Sequence, residues 1–181
     1  MAYKNENSVY ADIVALCEAG LSYCGIEGFV VIRATQAVNL NEGQPAILID
    51  RMSSDQYGWQ MAKDESRNHQ FKHIDEFWQD IKFQIFGLKR RAGVLQTSAV
   101  TTSEDAVRAI MTYLQSPAGI RACQSKGYGV LRIKENPEPY FVGDSDTYEI
   151  SPSFNVTLPL KQSVENVAEA VSSVSGSVES V

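Results

Sequence analysis

From Ile74 to Gly87 the residues Phe77, Ile81, Phe83 and Ile85 share one parity, while Glu76, Asp80, Lys82 and Gln84 hold most of the other. Side chains alternate between the two faces of a strand, so this pattern predicts a strand with one face in a core. Trp78 and Phe86 fall on the polar side, which predicts that another element or another subunit covers part of it. Tyr148, Ile150, Phe154, Val156, Leu158 and Leu160 repeat the same alternation at even numbers, and only Pro152 interrupts them. Proline cannot donate to a sheet ladder, so an edge or a bulge is expected there.

A period near 3.6 replaces this alternation between the two strands. Val107, Ile110, Met111 and Leu114 stand at the i, i+3, i+4, i+7 spacing of an amphipathic helix. Thr102 or Ser103 supplies its N-cap, and Asp105 stands where a capping box places an acid. Ser116-Pro117 restarts the chain as a second short helix, with Ile120 and Cys123 on one face and Gly127 as its terminator. A further helix is predicted from about Ser8 to Ala19, capped by Asn7 or Ser8, with Gly20 or Gly25 ending it.

Phe29 to Ala34 reads as a short strand followed by a polar turn, Asn39 to Pro45. Ala46 to Met52 and Tyr57 to Lys63 read as the arms of a hairpin whose tip is Ser53 to Gln56. Tyr128 to Glu135 reads as a strand, Asn136 to Pro139 as a stiff connection and Gly143 to Asp146 as a turn. The expected fold is α+β: a mainly antiparallel sheet with two or three helices packed on one face, plus a C-terminal arm.

That arm differs in kind. Residues 162–181 are almost wholly Ser, Val, Glu and Ala, yet Val164, Val167, Val171, Val174, Val178 and Val181 follow steps of 3, 4, 3, 4 and 3. This is a heptad seam on a weak helix former, which predicts a segment that becomes helical only when docked. The division expected is a domain over residues 1–161 and an arm over 162–181.

Composition changes the picture in three ways. A chain of 181 residues holds one domain of ordinary size, and its 44% hydrophobic content lies in the range of folded proteins. The formal charge of −6 argues against a dedicated nucleic-acid binder, which relies on clustered basic charge; the arm alone carries −3, from Glu165, Glu169 and Glu179. Three cysteines, Cys17, Cys24 and Cys123, make no Cys-x-x-Cys pair and read as buried free thiols. With no apolar run of spanning length and no signal-like start, cytosol-like conditions are expected.

Catalytic patterns are scarce. No phosphate-binding glycine loop, nucleophile elbow or His-Glu-x-x-His occurs. His69 and His73 stand four apart, but in a strand residues so spaced are about 13 Å apart and cannot share a metal. No catalytic, cofactor or metal residue is expected, and the protein reads as no enzyme. Features that suit interfaces stand out instead: the aromatics Tyr57, Trp59 and Trp78, the basic triplet Lys89, Arg90 and Arg91, and the valines Val164, Val167, Val171, Val174 and Val178.

The order of elements from Val30 to Leu160 resembles a family of phage neck or tail terminator proteins. The resemblance rests on Asp75 to Gly87, the helices Glu104 to Gln115 and Pro117 to Ser125, the strand Gly129 to Ile133, and Tyr148 to Leu158. It covers most of the chain as a pattern of strands and helices without a diagnostic catalytic motif. It implies a structural virion protein assembled in the host cytoplasm as a ring, usually hexameric. Such a ring caps the tail tube, ends its growth, joins it to a neck or connector protein and leaves a channel for DNA, with no sequence-specific grip and no membrane. Other expected roles of the same chemistry are tube, baseplate or connector completion protein, and after these a small α+β enzyme.

Overall fold

The computed structural model describes residues 4–39, 45–67, 70–88, 101–129, 131–135, 140–142, 148–150 and 152–169. Helix α1 spans Glu6–Tyr23 and strand β1 Val30–Arg33, followed by a 3-10 turn over Ala34–Asn39. Two long strands come next, β2 (Ala46–Arg67) and β3 (Gln70–Leu88), then helices α2 (Ser103–Gln115) and α3 (Pro117–Ser125). Strands β4 (Arg132–Glu135), β5 (Tyr140–Val142), β6 (Tyr148–Ile150) and β7 (Ser153–Glu169) complete the order. The main sheet runs β1-β2-β3-β7-β4, and β5 pairs with β6 in a separate ribbon. Among the described residues the strand pairings are antiparallel except that of β1 with β2. This is the expected α+β class.

Alternation sets the core. Ile81, Phe83 and Ile85 of β3 lie opposite Leu158, Val156 and Phe154 of β7, and all six are buried. Ile47 and Ile49 extend this face across β2. Ile13, Leu16 and Cys17 of α1, with Val107, Ile110 and Leu114 of α2, pack onto it, and Tyr10 meets Phe83 edge to face at 5.2 Å. Each such side chain contributes roughly 1.5–3 kcal/mol on burial.

The caps follow their chemistry. Thr102 and Asp105 form a complete capping box, and Ser116 caps α3 with Pro117 in its first turn. Gly127 takes φ +84° just past α3, as the sequence predicts. For α1 the N-cap is Asn5, whose side chain accepts from the Ser8 N–H at 2.8 Å, rather than Asn7 or Ser8. Gly20 does not end this helix. It lies inside α1, where an added Cβ would stand 3.0 Å from the Ile110 backbone of α2, so its smallness lets the two helices close.

Three expectations change. Ser53 to Gln56 is not a hairpin tip: β2 continues through it for 22 residues, about 70 Å of extended chain. Its polar residues are strand because β3 supplies partners, Lys82 for Asp55 at 2.8 Å and Gln79 for Ser54 at 2.5 Å. A bulge between Arg51 and Ser53 carries the strand onward, and the reversal falls between Arg67 and Gln70. The strand expected from Tyr148 to Lys161 is divided near Pro152, with Tyr148–Ile150 in the separate ribbon. The strand expected from Tyr128 to Glu135 is shorter, with Tyr128 making one isolated bridge to Leu160 before β4 begins.

The start of the arm also differs from the helical expectation. Residues 162–169 continue β7 without a break across the expected boundary. Alternation explains this, because Gln162 occupies the next inward position after Leu160 and is 1% exposed. Its amide accepts from the Lys4 N–H at 2.9 Å and donates to the Lys4 carbonyl at 3.2 Å. Residues 170–181 lie outside the described residues.

Candidate interface

On the face of the sheet turned away from the helices, register builds rows of side chains. Tyr57 stands directly opposite Trp78, and Trp78 opposite Lys161, so the three share one face of adjacent strands. Tyr57 is 45% exposed and Trp78 44%, large apolar surfaces beyond the ordinary needs of a sheet. Asp55, Asp80 and Lys82 fill the neighbouring rows of this face, with Arg132 beside Thr157 on the flanking strand.

Ion pairs organise the charges here. Lys82 meets Asp55 at 2.8 Å and Lys161 meets Glu76 at 2.8 Å. The Arg132 guanidinium bonds one oxygen of Asp80, while the other, Oδ1, is buried and has no hydrogen-bond partner among the described residues. Partial burial and then the Asp80 carboxylate raise the Tyr57 phenol above its usual range.

A second polar cluster closes the helix side. Asp12 of α1 accepts from Lys4 Nζ at 2.5 Å, Lys126 Nζ at 2.9 Å and the Tyr128 hydroxyl at 2.9 Å. Burial pushes the Asp12 carboxyl up, but these donors outweigh it and hold the group below its usual range. Tyr128 is pushed well up by burial and by that same carboxylate, so it stays a proton donor. Beside this cluster lies a cleft of about 250 Å³ with Val9, Ile81 and Phe83 on its floor and Lys4, Glu6, Arg51 and Gln79 at its edge. Glu6 and Arg51 pair there at 3.1 Å. Among the described residues the cleft lining has no thiol, hydroxyl or imidazole.

Two of the three thiols are buried as expected, while Cys24 is exposed because it caps the C-terminal end of α1. Cys17 is fully buried, and burial pushes its thiol far up; burial pushes Cys123 up to about 11. His73 Nε2 lies 3.2 Å from Asp75 Oδ1, two residues along β3, while His69 lies outside the described residues. Among the described residues no group of three or more His, Cys, Asp or Glu converges as metal ligands. No helix among them is long and apolar enough to cross a membrane.

Of the expected interface residues, the fold brings Tyr57 and Trp78 together. Trp59 stands in the irregular stretch of β2 between Tyr57 and Met61, where only the backbone is described. Val164 is 38% exposed but lies opposite Asp75 on the helix side of the sheet. Val167, opposite Lys72, has the other parity, so steps of three and four cannot make one seam on a strand. Lys89, Arg90, Arg91, Val171, Val174 and Val178 lie outside the described residues. The Asp80–Arg132 pair leaves no mark in the sequence pattern, since β4 and β3 present it on one face only through the sheet order.

A family sequence model, described as E217 gateway protein gp29, matches residues 8–170. The chain belongs to that family. No curated protein matches the sequence. Among solved structures, the sheath/tube terminator of the PVC extracellular contractile injection system in its extended state aligns with a TM-score of 0.51 at 12% identity. The alignment takes in 100% of this chain and 65% of that protein, which is therefore the longer of the two. Identity at this level establishes shared fold. The family match agrees with the phage neck or tail terminator resemblance carried by the order of elements, and gateway family members are phage structural proteins.

Proposed function

We propose that the protein is a structural virion subunit that forms a ring of six copies at the head-proximal end of a phage tail. The ring caps the tube, ends its growth, meets the tube or sheath on one side and a neck or connector protein on the other, and leaves a channel through which DNA passes. The observation that carries this reading is the gateway-family match over residues 8–170. The outer sheet face supports it, because Tyr57 and Trp78 offer exposed aromatic area of the kind favoured at protein interfaces. The net charge of −6 suits a channel that lets a polyanion through without holding it. Trp59 and the basic triplet 89–91 are assigned to neighbouring virion proteins. The segment 170–181, with Val171, Val174 and Val178, is assigned to docking on an adjacent subunit.

The test is tube polymerisation in the presence of the purified chain. Tubes that stop at uniform length with a cap at one end support the proposal; long tubes formed by the protein itself indicate a tube subunit; tubes unaffected at excess protein refute termination. A chain ending at Glu169, which retains all of β7, tests the docking segment. Equal capping and joining by that chain removes the segment from the mechanism.

A further inference from the structure

Beyond the helices the sheet narrows to three strands. Strand β1 pairs with β2 only over Ala46 to Ile49, and on the far side the last contact of β7 is the Tyr128 bridge at Leu160. Among the described residues, β2 after Ile49 and β7 after Leu160 therefore each present one unpaired backbone edge. Open edges pair with other strands unless something blunts them. On β2 two irregularities, at Arg51/Ser53 and Tyr57/Met61, blunt the first part. From Met61 to Arg67 the register is regular, and so is that of β7 over the level residues Ser163 to Glu169.

We propose that these two edges pair with each other between neighbouring copies of this chain, β7 of one copy alongside β2 of the next. The proposal rests on the ring reading above and supplies its subunit contact. Both strands are antiparallel to β3, so they run in the same direction, and rotation about a ring axis preserves that direction. The new pairing is parallel. It is heterologous and closes on itself when the rotation does, as a ring requires.

Charge supports the choice of a second copy. Lys63 is level with Ile74 and through it with Glu165; Arg67 is level with Gln70 and through it with Glu169. Setting the next copy's β2 against β7 without stagger places basic position beside acidic position twice. A stagger of four residues sets Glu165 beside Arg67, whereas one of two sets it beside Glu65. Opposite charges across strands favour a register and like charges oppose it. With three strands per copy, six copies would close a barrel of about 18 strands, a size that leaves an aqueous lumen.

Paired cysteines test this in the full chain with Cys24→Ser removing the exposed native thiol. Within one copy, positions 63 and 165 are separated by β3, two strand spacings or about 9.6 Å, beyond the roughly 7 Å that a disulfide spans. Mild oxidation of K63C/E165C, or of R67C/E165C for the staggered register, yields a ladder of covalent oligomers ending at the ring size, while each single-cysteine variant gives none. Lys63→Glu with Arg67→Glu shifts assembly to at least about tenfold higher concentration, and adding Glu165→Lys with Glu169→Lys restores it. Rings of unchanged mass without a ladder from either pair overturn the edge pairing and leave the ring reading standing. The same holds for a ladder that appears only after residues 170–181 are removed, since that segment then covers the edge. A chain that stays monomeric at every concentration overturns both.

Discussion

Gln162 joins two ends of the chain that are 158 residues apart in sequence, and replacing it by leucine removes that joint while keeping the volume. The amide makes three hydrogen bonds, two to the Lys4 backbone and one to Gln79 Oε1 at 3.2 Å. At about 0.5–1.5 kcal/mol each, the bonds total roughly 1.5–4.5 kcal/mol, and the abandoned Lys4 groups recover part of this by meeting water. Gln162→Leu is expected to cost about 2 kcal/mol, seen as a fall of roughly 4–8 °C in Tm or an equivalent loss in urea unfolding followed by tryptophan fluorescence. A chain lacking residues 1–4 has already lost two of the three partners and keeps only Gln79, so there the same substitution is expected to cost about 0.5–1 kcal/mol. A cost of that small size in the full chain, or an equal cost in both backgrounds, refutes the reasoning.

Gly119→Ala is expected to destabilise by about 2–4 kcal/mol in chemical unfolding, since the new Cβ would stand 2.1 Å from the Tyr113 carbonyl oxygen. Asp12 has a lowered pKa, so its stabilisation is complete above the ordinary carboxylate range near about 4 and is lost as pH falls through the lowered value. Asp12→Asn should therefore cost about 1–2 kcal/mol at pH 7, with the gap to the parent closing in melts at progressively lower pH. A colorimetric thiol reagent should label Cys24 in the native protein and reach Cys17 and Cys123 only after unfolding; fast labelling of a second thiol contradicts the burial.

Where one physical signal governs a segment, the sequence discloses it. The parity of Ile81, Phe83 and Ile85 and of Phe154 to Leu160 names the core face, because a half-buried strand has no other way to satisfy both solvents. Thr102, Asp105, Ser116 and Gly127 declare the ends of α2 and α3 through hydrogen bonds local to the chain. The length of β2 is illegible locally, since Ser53 to Gln56 resembles a turn until β3 brings Lys82 and Gln79 across from it. The valine steps mislead over residues 162–169 for a related reason: the edge of β3 supplies a ladder that overrides a weak helical period. Tyr57 and Trp78 were each visible as aromatics, but their opposition is a fact of register.

Native mass spectrometry joined to electron microscopy of the purified full chain reads out whether the protein closes into a ring. The expected result is one closed species at six times the subunit mass of 20.0 kDa, seen end-on as a ring with an open centre. A stable monomer at every concentration, or a filament that grows without closing, contradicts it.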